Sequence, residues 1–201
     1  MNQAIEKLVL ASGNAGKLKE LSRLLEPLHI QVAVQSDFNV DPVDETGLTF
    51  VENAILKARE ASRASGLPAL GDDSGLAVDA LKGRPGIFSS RFAGDQADDE
   101  ANNALLLEKL QGLPSNRRGA AFHCCLVLLR HPEDPAPLIA TGRWEGRILE
   151  SPRGEGGFGY DPLFYDETRG VGAAELALTE KNRISHRGQA LQKLIEKLEN
   201  G

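Results

Sequence analysis

The sequence predicts an α/β protein built on a mixed sheet flanked by helices, and three stretches carry that prediction. Lys7-Leu8-Val9-Leu10-Ala11 reads as a short buried strand, and Leu18, Leu21, Leu25 and Leu28 follow it at helical spacing, so the chain opens strand, loop, helix. Ala120 to Leu129 is almost continuously apolar, as befits a central strand covered on both faces. From Leu138 to Glu150, Leu138, Ala140, Trp144 and Ile148 alternate with Arg143, Glu145 and Arg147, the mark of a half-exposed antiparallel return. That return makes a purely parallel, doubly wound sheet a poor fit.

With 201 residues the chain can bury one substantial core, and nothing in it reads as a second domain, so residues 1–201 are expected to form one unit. A hydrophobic fraction of 41% beside 26% charged residues indicates neither disorder nor a membrane span. Met1 to Lys7 holds no basic region followed by an apolar run, and no later segment reaches spanning length, which points to the cytoplasm and away from a membrane partner. Cys124 and Cys125 are adjacent on an apparent strand and should face opposite ways, as small core hydrophobes and not as a bridge. A net charge of −6 argues against a nucleic-acid polymer as partner, although a few lysines and a metal can still hold a small polyanion.

Taken in order, the first loop is Ser12-Gly13-Asn14-Ala15-Gly16-Lys17, where Asn14 can cap the following helix and the first helical amides point back toward the strand end. Two readings stay open, an anion site or a plain turn with an exposed lysine. It is not a Walker A loop, because Ala11 stands at the first glycine position and Leu18 replaces the metal-binding hydroxyl. Ile30 to Val34 gives a second strand, and an acidic irregular segment with Asp41, Asp44 and Glu45 follows. Thr49 and Glu52 have capping-box spacing, and Phe50, Ala54, Ala58 and Ala61 make one apolar face of a helix that Gly66 and Pro68 stop. Asn53 and Lys57 share another face of that helix, an ordinary solvated arrangement unless Glu45 and Asp73 come to them.

Leu70 to Asp79, reading Leu-Gly-Asp-Asp-Ser-Gly-Leu-Ala-Val-Asp, squeezes two carboxylates and a hydroxyl between apolar residues. Asp72, Asp73 and Ser74 are expected at a strand end or bend, with Gly71 and Gly75 giving the backbone room to turn. A divalent cation or a self-capped turn would each account for them. Leu81 to Gly94 is a long connection carrying Arg84, Arg91, Phe88 and Phe92, and Asp98 to Leu110 is an amphipathic helix with Ala101, Leu105 and the neighbouring leucines inward. Gly154 to Gly159 has the spacing of a dinucleotide loop, but Tyr160-Asp161-Pro162 stands where a helix should begin, so that reading is rejected. A glycine-dense loop remains, with Phe158 and Tyr160 available to stack and Asp161 to orient, the alternative being a flexible surface loop. Thr179 begins a short helical turn carrying Lys181, and Ser185 caps a terminal helix with Leu191, Leu194, Ile195 and Leu198 inward. His186 and Arg187 in its first turn oppose the helix dipole and should therefore serve an anion or an acceptor.

These stretches together resemble the inosine/xanthosine triphosphate pyrophosphatase family over essentially the whole chain. The resemblance rests on Ser12 to Lys17, Glu45 to Ala54, Asp72 to Leu76, Pro85-Gly86 with Ser90-Arg91-Phe92, Gly157 to Pro162, and Ser185 to Gly188, in that order. It implies a strongly twisted mixed sheet in two lobes, with the active site in the cleft between them. It also implies a Mg²⁺-dependent attack of water on the α-phosphorus of a purine nucleoside triphosphate (ITP, dITP or XTP), releasing monophosphate and pyrophosphate. In that scheme Glu45 and Asp73 hold the metal, and Asp73 is also the general base. Ser12, Gly13, Asn14, Ala15, Gly16 and Lys17 take the triphosphate, helped by Ser74 and Lys57. Phe158, Gly159, Tyr160 and Asp161 surround the base, while Lys181, His186 and Arg187 lie at the substrate. A homodimer is implied by the family alone. Alternatives are a pyrophosphatase for other modified nucleotides, pyrimidines included, and a nucleotide-sensing module without turnover.

Overall fold

Strand β1 (Lys7–Ala11) lies between β2 (Gln31–Val34) and β3 (Ala69–Val78), and both pairings are parallel. The computed structural model describes residues 5–40 and 43–199; Met1 to Ala4 and Asp41 of the acidic segment fall outside them. The sheet continues through β4 (Gly119–Leu129), β5 (Leu138–Ile148), β6 (Phe164–Asp166) and β7 (Val171–Gly172), in the order β2-β1-β3-β4-β5-β6-β7. Because β5 to β6 and β6 to β7 are antiparallel, the sheet is mixed, as expected. The apolar stretch that predicted a central strand is the fourth of seven, and β5 alternates as its sequence does, with Ala140 and Trp144 buried and Thr141, Arg143 and Glu145 exposed.

Five helices accompany the strands among the described residues: α1 (Ala15–Leu25), α2 (Phe50–Ser65), α3 (Asp99–Lys109), α4 (Leu178–Ile184) and α5 (His186–Glu199). Two start where their predicted caps place them, and α3 starts after a cap of its own, Asp98. Asn14 accepts from the Lys17 amide at 3.0 Å, Thr49 from the Glu52 amide at 3.4 Å, and Asp98 from the Ala101 amide at 2.8 Å. The inward face of α3 keeps Leu106 as expected but takes Asn102 in place of Ala101: Asn102 and Leu106 are buried, Ala101 is exposed and Leu105 is only half-buried. The cause is polar, since Asn102 turns inward to accept from the Ala93 amide at 2.8 Å and donate to the Ser90 carbonyl at 3.2 Å.

A second correction concerns β3. Asp72, Asp73 and Ser74 do not sit at a strand end or bend, because the strand runs unbroken from Ala69 to Val78. Gly71 serves close approach and not turning: a Cβ on it would lie 2.2 Å from the carbonyl oxygen of Ala54 in α2. The missing side chain lets helix backbone rest on strand backbone, and that contact brings the polar face of α2 to Asp73.

The chain divides into two compact units. One comprises the described residues up to Asp73 with 124–142 and 187–199; the other comprises 74–123 and 143–186. In the first, Leu10, Leu21, Leu70, Leu126 and Leu191 share a core. Full burial of each contributes roughly 1.5–3 kcal/mol. Cys124 joins that cluster while Cys125 packs with Ala54, Ala58 and Val127; both thiols are free and buried, on opposite strand faces as expected. In the second unit Leu76, Leu106, Phe122, Trp144 and Phe164 form the core, and the Trp144 indole N–H is satisfied by Asp166 at 2.8 Å. No helix among the described residues is long and apolar enough to cross a membrane.

Candidate active site

In the first unit, the Thr49/Glu52 capping box fixes the segment that precedes α2. Glu52 accepts from the Leu48 amide at 2.9 Å and the Thr49 hydroxyl at 2.7 Å, which together hold its carboxyl below the usual range. Asn53, fully buried, accepts from the Gly47 amide at 2.9 Å and donates to Asp73 Oδ2 at 3.4 Å. One turn later the Lys57 ammonium lies 3.0 Å from Glu45 Oε1 and 2.7 Å from Asp73 Oδ1. The two carboxylates singled out as metal ligands, 28 positions apart in the sequence, therefore meet on a single cation. Neither Asn53 nor Lys57 is the solvated surface group that its spacing alone suggested.

Burial raises the Asp73 carboxyl above its ordinary value, against the opposing pull of Lys57 and Lys17. For Lys57 the balance is different. Burial disfavours its charge, but Asp73 and Glu45 outweigh that and hold it above the ordinary lysine range.

Asp72 points to the other face of β3, where burial would neutralise it were it not for Arg187 Nε and Lys17 Nζ, each at 2.8 Å; together they hold it well below the usual carboxylate range. Arg187 is itself buried and also pairs with Glu20 of α1, which is buried as well. The anion that Arg187 was expected to serve at the helix start thus includes two carboxylates of the protein itself. Lys17 likewise spends its ammonium on Asp72. In the loop ahead of it Ser12 is buried and accepts from the Asn14 amide at 3.2 Å, while the amides of Ala15 and Gly16 precede the first intrahelical hydrogen bond of α1.

The second unit holds the glycine-rich loop. Asp161, buried, accepts from the Phe158 amide at 2.8 Å and from the Lys181 ammonium at 2.6 Å. That ammonium also lies 4.9 Å from the centroid of the Phe158 ring. Gly157 makes the tight turn possible: its φ is +79°, and a Cβ on it would come 2.1 Å from Asp161 Oδ2. Tyr160 corrects the sequence reading, because it is not available to stack. It is buried in the core, its hydroxyl donates to the Ser89 carbonyl at 2.8 Å, and burial, aided by Asp99, pushes its ionisation above the ordinary range. Phe158, half-buried, remains the loop's open aromatic. Gly159 is held through both backbone groups by α3. His186 is buried with its ring stacked on Phe122, centroids 4.8 Å apart and planes 12° from parallel. Ser74, half-buried, begins the second unit directly after Asp73.

Sequence reasoning passed over Glu20, Asp99, Asn102 and Asn103. Glu20 and Asp99 look like ordinary surface charges of amphipathic helices, and only Asn102, polar on a face that Leu106 marks as inward, carries a legible signal. No group of three or more His, Cys, Asp or Glu side chains among the described residues is arranged to hold a metal. The donor set that remains is Glu45 with Asp73.

Residues 8–197 match the model of the Ham1 family. The chain is 55% identical over 197 residues to the dITP/XTP pyrophosphatase of Shigella flexneri, covering 98% of this chain and 100% of that protein. It is 58% identical to the dITP/XTP pyrophosphatase of Xanthomonas campestris pv. campestris, covering 96% and 98%. Among solved structures, a HAM1 protein from Coxiella burnetii superposes with a TM-score of 0.89 at 51% identity, covering 97% and 99% of the two chains. A nucleoside-triphosphatase / dITP/XTP pyrophosphatase from Mycobacterium abscessus gives 0.76 at 45%, covering 96% and 99%. With a family match spanning nearly all of its length and relatives this similar, the chain belongs to the Ham1 family.

Proposed function

We propose that this protein hydrolyses deaminated purine nucleoside triphosphates (dITP, ITP and XTP) to the nucleoside monophosphate and pyrophosphate. Its relatives named dITP/XTP pyrophosphatase support that reading, at more than half identity over nearly the full length. The observation that carries the chemistry is the sharing of Lys57 by Glu45 and Asp73. Two hard carboxylate oxygens converging on one monovalent cation suit a small divalent ion, which in phosphate enzymes takes one or two carboxylates and fills its remaining positions with water and substrate oxygens. Glu45 and Asp73 would hold it, and the proposed ion is Mg²⁺. When bound there, such an ion would supply neutralisation of charge on the phosphate oxygens.

Asp73 then acts as the general base. Its carboxylate is held in place by the Lys57 ammonium on Oδ1 and the Asn53 amide on Oδ2. Water attacks the α-phosphorus, its proton passes to Asp73, the bond from the α-phosphorus to the bridging oxygen breaks, and pyrophosphate leaves. Lys57 keeps the Asp73 carboxylate oriented through the 2.7 Å contact, and Asn53 fixes the second oxygen. The Ser12 to Lys17 loop, through the α1 amides and the Lys17 ammonium, is assigned to the triphosphate with Ser74. Arg187 acts through Asp72, which it positions, and His186 stands in the same turn.

Phe158 and Asp161 with Lys181 are assigned to the base. A 6-oxo purine offers an acceptor where adenine offers an amino donor, so a donor such as Lys181 leaves adenine unpaired and selects against it. Residues 1–201 are read as one pyrophosphatase domain, cytoplasmic and homodimeric. A panel of dITP, ITP, XTP, GTP, ATP and pyrimidine triphosphates with Mg²⁺ tests the proposal. Monophosphate and pyrophosphate from the first three and little from the rest is the expected result, and stepwise release of orthophosphate would contradict it.

A further inference from the structure

Helix α3 belongs to neither the carboxylate pair nor the phosphate loop, yet its polar residues hold two loops of the second unit. Asp99 Oδ2 accepts from the Gly159 amide at 2.7 Å, and four residues on, Asn103 Nδ2 donates to the Gly159 carbonyl at 2.9 Å. One glycine in a positive-φ conformation (+61°) therefore has both backbone groups secured by successive turns of one helix. Between those two residues, Asn102 holds the 90–93 segment through the Ser90 carbonyl and the Ala93 amide. The loops are also tied to each other, since the Tyr160 hydroxyl donates to the Ser89 carbonyl at 2.8 Å. Asn103 Oδ1 is buried with no hydrogen-bond partner among the described residues, so the donor half of this amide makes its hydrogen bond.

We infer that Asp99 and Asn103 are positioning residues for nucleobase selection: they set the Phe158 to Asp161 loop, and hence base discrimination, without touching phosphate chemistry. The inference rests on the base-binding role proposed above for that loop. Its physical content is that a glycine-dense loop loses geometry readily, and two backbone hydrogen bonds from a rigid helix supply the order that selectivity requires.

The test is steady-state kinetics of the full chain with Mg²⁺ on Asp99→Ala, Asn103→Asp and the double variant. ITP and ATP serve as substrates, and tripolyphosphate, which has no base, as competitive inhibitor. The double variant is expected to raise KM for ITP about tenfold, the effect of roughly two hydrogen bonds of ordinary strength. Its preference for ITP over ATP in kcat/KM should fall, while kcat and the tripolyphosphate inhibition constant stay within about twofold of the parent. A parallel rise in the inhibition constant, or an unchanged KM, overturns the inference while leaving the proposed activity standing. A parent protein that fails to hydrolyse ITP would overturn both.

Discussion

Asp72 and Asp73 are neighbours in β3 and keep opposite company: Arg187 Nε lies 2.8 Å from the first and Lys57 Nζ 2.7 Å from the second. Strand geometry sends successive side chains to opposite faces, so one Asp-Asp pair serves two ion-pair networks. Asp72, with Arg187, Lys17 and Glu20, is cross-linking between β3, α5 and α1. Asp73, with Lys57, Asn53 and Glu45, is the carboxylate proposed above to react.

That division predicts opposite phenotypes for the same substitution. Asp73→Asn should abolish turnover of ITP while leaving thermal unfolding close to the parent, because Lys57 keeps Glu45 as a partner. Near-normal turnover in that variant would remove Asp73 from the mechanism.

Asp72→Asn should instead unfold more easily, since the fully buried Arg187 keeps Glu20 but loses the Asp72 charge, and Lys17 loses that partner as well. Removing one partner of such a pair costs about 3–5 kcal/mol. Urea denaturation of the purified variant checks this, and a loss below about 1 kcal/mol, the range of surface pairs, would mean that the Arg187 network is not structural.

Lys17→Ala separates the two uses of that lysine. Arg187 remains on Asp72, so the fold should survive, while KM for ITP rises about tenfold or more, as befits a lost charge-assisted contact to phosphate. An unchanged KM would confine Lys17 to its ion pair.

Much of this was legible in the sequence, and the failures share a cause. Strand β1, the caps Asn14 and Thr49, the apolar face of α2 and the fully covered β4 follow from local periodicity and hydrogen-bonding chemistry, which a linear sequence carries directly. What was misread depends on partners distant in the chain. Gly71 looked like a turn residue because its reason, the Ala54 carbonyl, comes from another element. Tyr160 looked like a stacking platform because nothing near it announces the Ser89 carbonyl that takes its hydroxyl. Glu20 meets Arg187 across 167 positions, and no spacing rule reaches that far.

Gly71→Ala tests the close approach directly. The added methyl would meet the Ala54 carbonyl at 2.2 Å, so α2 must move off β3 and carry Asn53 and Lys57 away from Asp73. A loss of about 1–3 kcal/mol or more is expected by overpacking, with turnover falling further than stability. A variant equal to the parent in both would refute this role for the glycine.

His123 supplies a pH dependence away from the carboxylates. Burial, reinforced by Arg143, lowers its imidazole below the ordinary 6.5. The folded state therefore binds this proton more weakly than the unfolded chain, and the stability it contributes is complete above pH 6.5 and lost as the pH falls from there through the folded value. Histidine titration by NMR should give a His123 value below 6.5, and His123→Gln should flatten the fall in stability below that pH.

Hydrolysis of ITP in ¹⁸O-labelled water, with both products analysed by mass, tests the central claim most directly. Attack of water on the α-phosphorus places one label in the monophosphate and none in the pyrophosphate. Label in the pyrophosphate, or orthophosphate as the first product, would contradict it.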